Sequence, residues 1–206
     1  LESLNGDSLR RMNKGFNLMC GGPAAALANM RRHQLAVYAT FIFGYDHDTP
    51  DSIAATVEFA QQHQLFMAAF NHITPFPGTP LYHRMRDEGR LLYDAWWNDP
   101  AYRYNMIPFQ PAQMTPQELA DRCVGARREF YSWRSIASRA THRVNFRDPW
   151  MLANFLVINA MHQKDVQGRN GLPLGDETWR GSIREANDAK TCEALLEGVG
   201  GDALPV

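Results

Sequence analysis

The chain is poor in the residues that would tie it to a metal, a disulfide framework or a membrane. Its 206 residues hold three cysteines, Cys20, Cys123 and Cys192, far apart and odd in number. That spacing gives neither a disulfide framework nor a metal knuckle and fits a reducing, cytoplasmic compartment. The longest apolar runs, such as residues 36–43 and 155–158, are far too short to span a bilayer. No secretory signal pattern opens the chain. The formal net charge is -1, so no global excess points to nucleic acid or an anionic membrane. "GGPAAAL" lacks the Lys and Ser/Thr of a phosphate loop, and spacing reveals no Ser/His/Asp or Cys/His nucleophile. The opening "LESLNGDSL" has no methionine, as expected of a piece cut from a longer protein.

What remains is ordinary globular material, 45% apolar and 21% charged. Asn5 or Asp7 can cap a short helix over residues 8–14, and "PAAALANMRRHQ" carries a second with Arg31 and Arg32 in its last turn. Residues 36–43 are β-branched, aromatic and apolar on both faces, which predicts a parallel strand buried on both sides. Gly44 ends that strand. Thr49 and Pro50 then start a helix running to about His63. A second apolar segment, residues 65–73, ends in "TPFPGTP", after which Thr79 and Pro80 open another helix. Such alternation argues for βα units around a parallel sheet or barrel. "TPQE" at residues 115–118 is a capping box that predicts a long helix to about Arg139, and a last helix is expected over residues 150–167. Beyond Gly171 a poorly ordered tail is expected.

In parallel α/β sheets ligands bind beyond the C-terminal strand ends. Three such ends are visible: Glu2 and Ser3, Gly44, and residues 72–78. Gly44 would let a flat group approach the backbone. Phe41, Ile42 and Phe43 would give an apolar wall, and Glu2 is a bidentate acceptor suited to a ribose diol. Each reading has a plain rival, since Phe41 to Phe43 also suit a core and Gly44 a tight turn. The cluster Asp46, His47, Asp48, Asp51 matches no metal loop, and helix capping explains its later members. "RREFYSWRS" mixes arginine with aromatics, but its period is that of an amphipathic helix rather than a nucleic-acid surface.

Together, "ES…LRRMNKGFN", "AVYATFIFGYDHDTPDSIAATVEFA" and "ITPFPGTPLYHRM" resemble consecutive segments of the second half of a radical S-adenosylmethionine (radical SAM) enzyme. The stretch from Leu91 to Asp176 resembles the C-terminal extension of members with a cobalamin-binding domain. The resemblance implies an α/β fold, the second half of a partial (β/α)6 TIM-like barrel over residues 1–90. An aromatic linker and helical extension would follow over 91–170, and the tail over 171–206. It implies that Glu2 and Ser3 meet the SAM ribose and methionyl part. Phe41, Ile42, Phe43 and Gly44 would border the adenine, and His72, Thr74 and Phe76 would contact its edge. Where many members read Gly-Leu-Pro-Gly-Glu-Thr, this chain has Gly44-Tyr45-Asp46-His47-Asp48-Thr49, which puts a ligand role for Asp48 in doubt.

The family's Cys-x3-Cys-x2-Cys loop for a [4Fe–4S] cluster is missing. The expectation is therefore a fragment, inactive alone, of a parent that uses SAM, the cluster and possibly cobalamin. That parent would be a radical methyltransferase acting on a small molecule, without nucleic-acid or membrane partners. Its missing N-terminal barrel half would be the fragment's partner. The rival is a non-catalytic scaffold or partner-binding module. Half a barrel leaves the inner faces of "VYATFIF" and "LFMAAF" uncovered, although the helices after Thr115 are expected to pack across them. Each such side chain is worth about 1.5–3 kcal/mol when buried, so the isolated chain should be marginal, oligomeric or aggregation-prone. A cooperative, high-melting monomer in calorimetry and sedimentation would contradict this.

Overall fold

The extended apolar stretches become two six-residue strands, β1 (Tyr38–Phe43) and β2 (Met67–His72), paired in parallel from Tyr38↔Met67 to Phe43↔His72. The computed structural model describes residues 1–93, 95–168 and 171, and all of them lie in one compact unit. The tail expected beyond Gly171, and Cys192 within it, lie outside the described residues.

Before the sheet come α1 (Gly6–Arg11), a 3₁₀ turn at Gly15–Gly21 and α2 (Gly22–Arg32). Asn5 caps α1 by accepting from the N–H groups of Asp7 and Ser8. The strands are joined by α3 (Pro50–Gln62), whose start is a capping box between Thr49 and Ser52 with proline in the first turn. Thr79 caps α4 (Pro80–Asp87) by accepting from the Tyr82 N–H, again with proline in the first turn. The fold is α/β as expected. Among the described residues it has two strands.

The core lies on one face of the sheet. Phe41 stacks on Phe70 with ring centroids 5.5 Å apart, and Phe70 meets Phe130 edge-on at 5.5 Å. Ile53, Val57 and Ala60 of α3 pack on the same rings. So do Leu119, Cys123, Ala126 and Phe130 of α5 (Pro116–Phe130), which starts at the expected Thr115–Glu118 box. The opposite face, Tyr38, Thr40 and Asn71 with the half-buried Ile42, Met67 and Ala69, stays open, with Tyr38 59% exposed. Two expectations are corrected here. The strands are not buried on both sides, and the helices after Thr115 join α3 on the covered face instead of closing the open one.

The long helix expected to Arg139 also breaks. α5 stops at Phe130, and Ser132 caps a separate α6 (Trp133–Ala140) by accepting from the Ser135 N–H at 3.2 Å. The break turns Tyr131 inward. Its hydroxyl donates to the Ala68 carbonyl at 2.8 Å and accepts from the Ala68 N–H at 3.2 Å. These are main-chain groups of β2 that pairing with β1 does not use. α7 (Pro149–Gly168) follows, and its Asn159 donates to the Phe66 carbonyl.

Near the end of α6 the fully buried Arg139 reaches to α7. It donates to the carbonyls of Leu65 (3.0 Å) and Phe130 (2.9 Å), to Asn159 Oδ1 (3.0 Å) and to Ser135 Oγ (3.2 Å), 3.8 Å from the Phe130 ring centroid. Burial lowers its pKa to about 10, so it remains a cation at neutral pH. Replacing Tyr131 by Phe should leave both Ala68 groups unpaired and cost about 1–3 kcal/mol. Urea denaturation reads this, and an unchanged midpoint would refute the role given to the hydroxyl.

Candidate functional site

The strand tips meet on one line. The Ile42 N–H donates to the Glu2 carbonyl at 2.9 Å, and the Ile73 N–H donates to the Phe43 carbonyl at 2.7 Å. Residues 2–3, 42–44 and 72–74 therefore lie side by side, with β1 in the middle. Beyond them opens a cleft of about 830 Å³, lined among others by Glu2, Tyr45, Ile73, Thr74 and Leu81.

The side chains named from the sequence do not all gather in the cleft. Glu2 and Thr74 line the cleft. Glu2 forms an ion pair with Lys14. Ser3 is buried behind Glu2, where its hydroxyl accepts from the Asn5 N–H at 3.0 Å. Ile42 sits half-buried on the open face. Phe41 and Phe43 point the other way, into the helical layer, and so form core and not cleft wall. His72 shares their side of the sheet. Burial and the nearby charge of Arg127 push its pKa down to about 4, and its Nδ1 is buried with no partner among the described residues. Phe76 is exposed in the loop after β2, with its ring 6.0 Å from Trp96.

Gly44 has φ +100°, a conformation that side chains disfavour. A Cβ there would lie 2.8 Å from Leu119 Cδ2 and 3.2 Å from Phe109 Cζ, so α5 and the segment before it occupy the space of the missing side chain. Close packing inside the chain accounts for this glycine. The buried Asp48 carboxylate accepts from the N–H groups of Gly44 (2.9 Å) and Tyr45 (3.0 Å) and so fixes the turn at the tip of β1. Burial raises its pKa to about 6, against the pull of those two N–H groups. Tyr45 projects toward the cleft. Burial, then the charges of Glu2 and Asp48, raise its pKa to about 12, so its phenol stays protonated.

Sequence reasoning missed the ion network on the cleft rim. Asp46, weighed as a metal ligand, is ringed instead by Arg11, Arg84 and Arg90 at 2.7, 2.6 and 2.9 Å. Burial pushes Asp46 up, but the hydrogen bonds from Arg84 and Arg90 outweigh it and hold the carboxylate below its usual range. The basic run "LRRMNK" was the available signal, but the three arginines that reach Asp46 lie 35, 38 and 44 residues from it in sequence. Trp96 and Tyr102 are buried, and the Trp96 indole donates to the Pro75 carbonyl at 3.0 Å. These aromatics buttress the loop after β2.

The fold is an α/β unit with a cleft at its parallel strand tips. No protein-family model matches the chain. It is 35% identical over 138 residues to the bacteriochlorophyllide d C-12(1)-methyltransferase of Chlorobaculum tepidum, covering 67% of this chain and 29% of that protein. It is 29% identical over 94 residues to the hopanoid C-2 methylase of Rhodopseudomonas palustris (46% and 18%). It is 26% identical over 129 residues to the anaerobic magnesium-protoporphyrin IX monomethyl ester cyclase of Cereibacter sphaeroides (62% and 20%). The chain spans less than a third of the length of the curated relatives it matches. These likenesses bear out the resemblance read from the sequence: the chain is related to radical SAM enzymes of the cobalamin-binding-domain-containing type.

The raised pKa of Asp48 fixes a sign. Its folded value of about 6 lies above the free value of 3.8, so the folded state binds the proton more tightly. Its contribution to stability is full below about pH 4 and is lost as pH rises through 6, by up to about 3 kcal/mol. In the variant Asp48→Asn the amide oxygen can still accept both N–H bonds without the charge. That variant should therefore gain on the wild type between pH 4 and 7 in denaturation curves. A pH-independent difference would contradict the assignment.

Proposed function

We propose that the chain is the C-terminal portion of a radical SAM methyltransferase-like enzyme. The extended 1–5 segment, β1 and β2 would be its fourth to sixth barrel strands, and the cleft would take the adenosyl end of SAM. The observation that supports this best is the ladder that sets residues 2–3, 42–44 and 72–74 side by side at one mouth. Glu2 would accept from the ribose hydroxyls, with Ser3 steadying its turn. Ile42 and the main chain of residues 41–44 would border the adenine, since the rings of Phe41 and Phe43 face the core. The main chain at His72 and Thr74 would meet the adenine edge, with Phe76 on the loop above. The relatives that are methyltransferases or methylases suggest methyl transfer to carbon. Two of them are named for bacteriochlorophyllide d, which makes a tetrapyrrole a candidate substrate of the parent.

In such enzymes a reduced [4Fe–4S] cluster supplies the electron that breaks the S–C5′ bond of SAM. The described residues do not fit that group. They contain no set of three His, Cys, Asp or Glu able to hold a metal; Cys20 is exposed and Cys123 is buried with its pKa pushed up to about 12. The chain's own part is to bind and orient the adenosyl end, and cluster ligands, like any cobalamin, would come from other residues. The open face of Tyr38, Thr40 and Asn71 favours a second reading, a non-catalytic scaffold that docks on another chain.

Equilibrium dialysis with 5′-methylthioadenosine separates the two. The cofactor reading expects saturable binding, weakened about tenfold by Glu2→Ala, the loss of a charge-assisted hydrogen bond. It also expects no 5′-deoxyadenosine from this chain supplied with SAM and reductant. Absent binding, or binding indifferent to Glu2→Ala, favours the scaffold.

A further inference from the structure

Three guanidiniums converge on one carboxylate at the rim of the cleft. Arg11 and Arg84 both donate to Asp46 Oδ2, and Arg90 donates to Oδ1. Glu88 shares Arg90 at 3.0 Å and lies 3.9 Å from Arg84. Three cations therefore face two carboxylates, and one positive charge is left over. Donors also exceed acceptors. Arg90 Nη2 is buried with no acceptor among the described residues, while the contacts to Asp46 use one nitrogen each of Arg11 and Arg84.

Arg90 is the inner member, its side chain 16% exposed, and it is held by both Asp46 and Glu88. Arg11 and Arg84 are the outer members, and both line the cleft. A guanidinium fixed at one nitrogen still offers a fork that matches a carboxylate, which a lysine would not. Asp46 is thus a positioning residue that holds two forks at the cleft edge. The neighbouring wall is apolar, formed by Met12, Ile73 and Leu81. The other cation of the mouth, Lys14, is engaged by Glu2.

We propose that this cleft admits a substrate with a carboxylate on an otherwise apolar body. Arg11 and Arg84 grip the carboxylate, and Met12, Ile73 and Leu81 carry the body. The assignment rests on the reading of the cleft as a cofactor and substrate mouth, and names the substrate class of that mouth. A carboxylate could also reach these arginines from the methionyl end of SAM, so the test must tell the two sources apart.

The probes are 1-pyrenebutyrate and its methyl ester, followed by pyrene fluorescence with the full 206-residue chain. The acid should bind at least about tenfold tighter than the ester, as expected for charge-assisted hydrogen bonds. The double variant Arg11→Gln, Arg84→Gln should reduce that preference to about twofold or less. Retained ester binding shows that its cleft is still formed. Equal affinity for acid and ester in the wild type overturns the proposal. So does a preference that survives the double variant. If the variant instead weakens SAM but not 5′-methylthioadenosine, the anion gripped is that of the cofactor and the substrate assignment falls. Failure of 5′-methylthioadenosine to bind the wild type at all, with the acid preference intact, counts against the adenosyl reading and leaves the anion site standing.

Discussion

Two main-chain hydrogen bonds, Ile42 N–H to Glu2 and Ile73 N–H to Phe43, hold the site together. They carry the parallel register past the end of the regular strands, so that three separate turns emerge at one level. Every group on the cleft takes its place from that alignment. Glu2 lies at the edge because its own carbonyl is the acceptor. Tyr45 and Asp46 follow within two residues of Gly44, and Thr74 follows Ile73 directly. Side chains then refine what the ladder sets, with Asp48 tying down the turn after β1 and the Asp46 network linking α1 and α4 across the opening.

The sheet is asymmetric for a physical reason. One face carries Ala39, Phe41, Phe43, Ala68 and Phe70, and both α3 and α5 pack there. Aromatic stacking across β1 and β2 makes that face thick and apolar, so it takes the helices first. The other face mixes Tyr38, Thr40 and Asn71 with smaller apolar groups and gains less from burial. The glycine at residue 44 belongs to the covered side, where Leu119 and Phe109 press against the main chain. A feature that suggests a ligand when read along one strand is here a condition for docking a helix.

Local chemistry was legible in the sequence, and long-range pairing was not. The capping box at Thr115, the helix starts at Thr49 and Thr79 and the two extended apolar stretches follow from residues within four positions of one another. The adjacency of the three tips could be argued from βα alternation. The face of each strand could not, because residues 36–43 are apolar in both registers of the alternation, and so Phe41 and Phe43 were read beside Ile42 as a cleft wall, with a core role as the rival that the structure bears out. The helix after Thr115 looked continuous because nothing between Phe130 and Ser132 breaks a helix by itself. The break answers to Ala68, 63 residues away. Asp46 escaped for the same reason, since its partners come from two distant segments, Arg11 from one and Arg84 and Arg90 from the other.

Two buried charges of opposite sign mark the two ends of this sheet, and neither relies on an ion pair. At the cleft end the Asp48 carboxylate is satisfied by N–H groups that follow β1. At the other end the Arg139 guanidinium is satisfied by carbonyls that precede β2 and close α5. Parallel ladders leave such main-chain groups without strand partners where the strands stop, and buried groups of that kind must find partners elsewhere. A charged side chain meets several of them at once, and their dipoles offset part of the several kcal/mol that burying an isolated ion costs. The offset is incomplete at both ends, as the pKa of Asp48 raised to about 6 and that of Arg139 lowered to about 10 show. The two residues differ in consequence. Arg139 stays charged at any ordinary pH, so it acts as a permanent clamp on the entry to β2. Asp48 crosses its titration within reach of mild acid, and it holds the main chain of Tyr45, whose phenol faces the cleft. The end of the sheet that opens on the cleft is thus also the end whose charge can change.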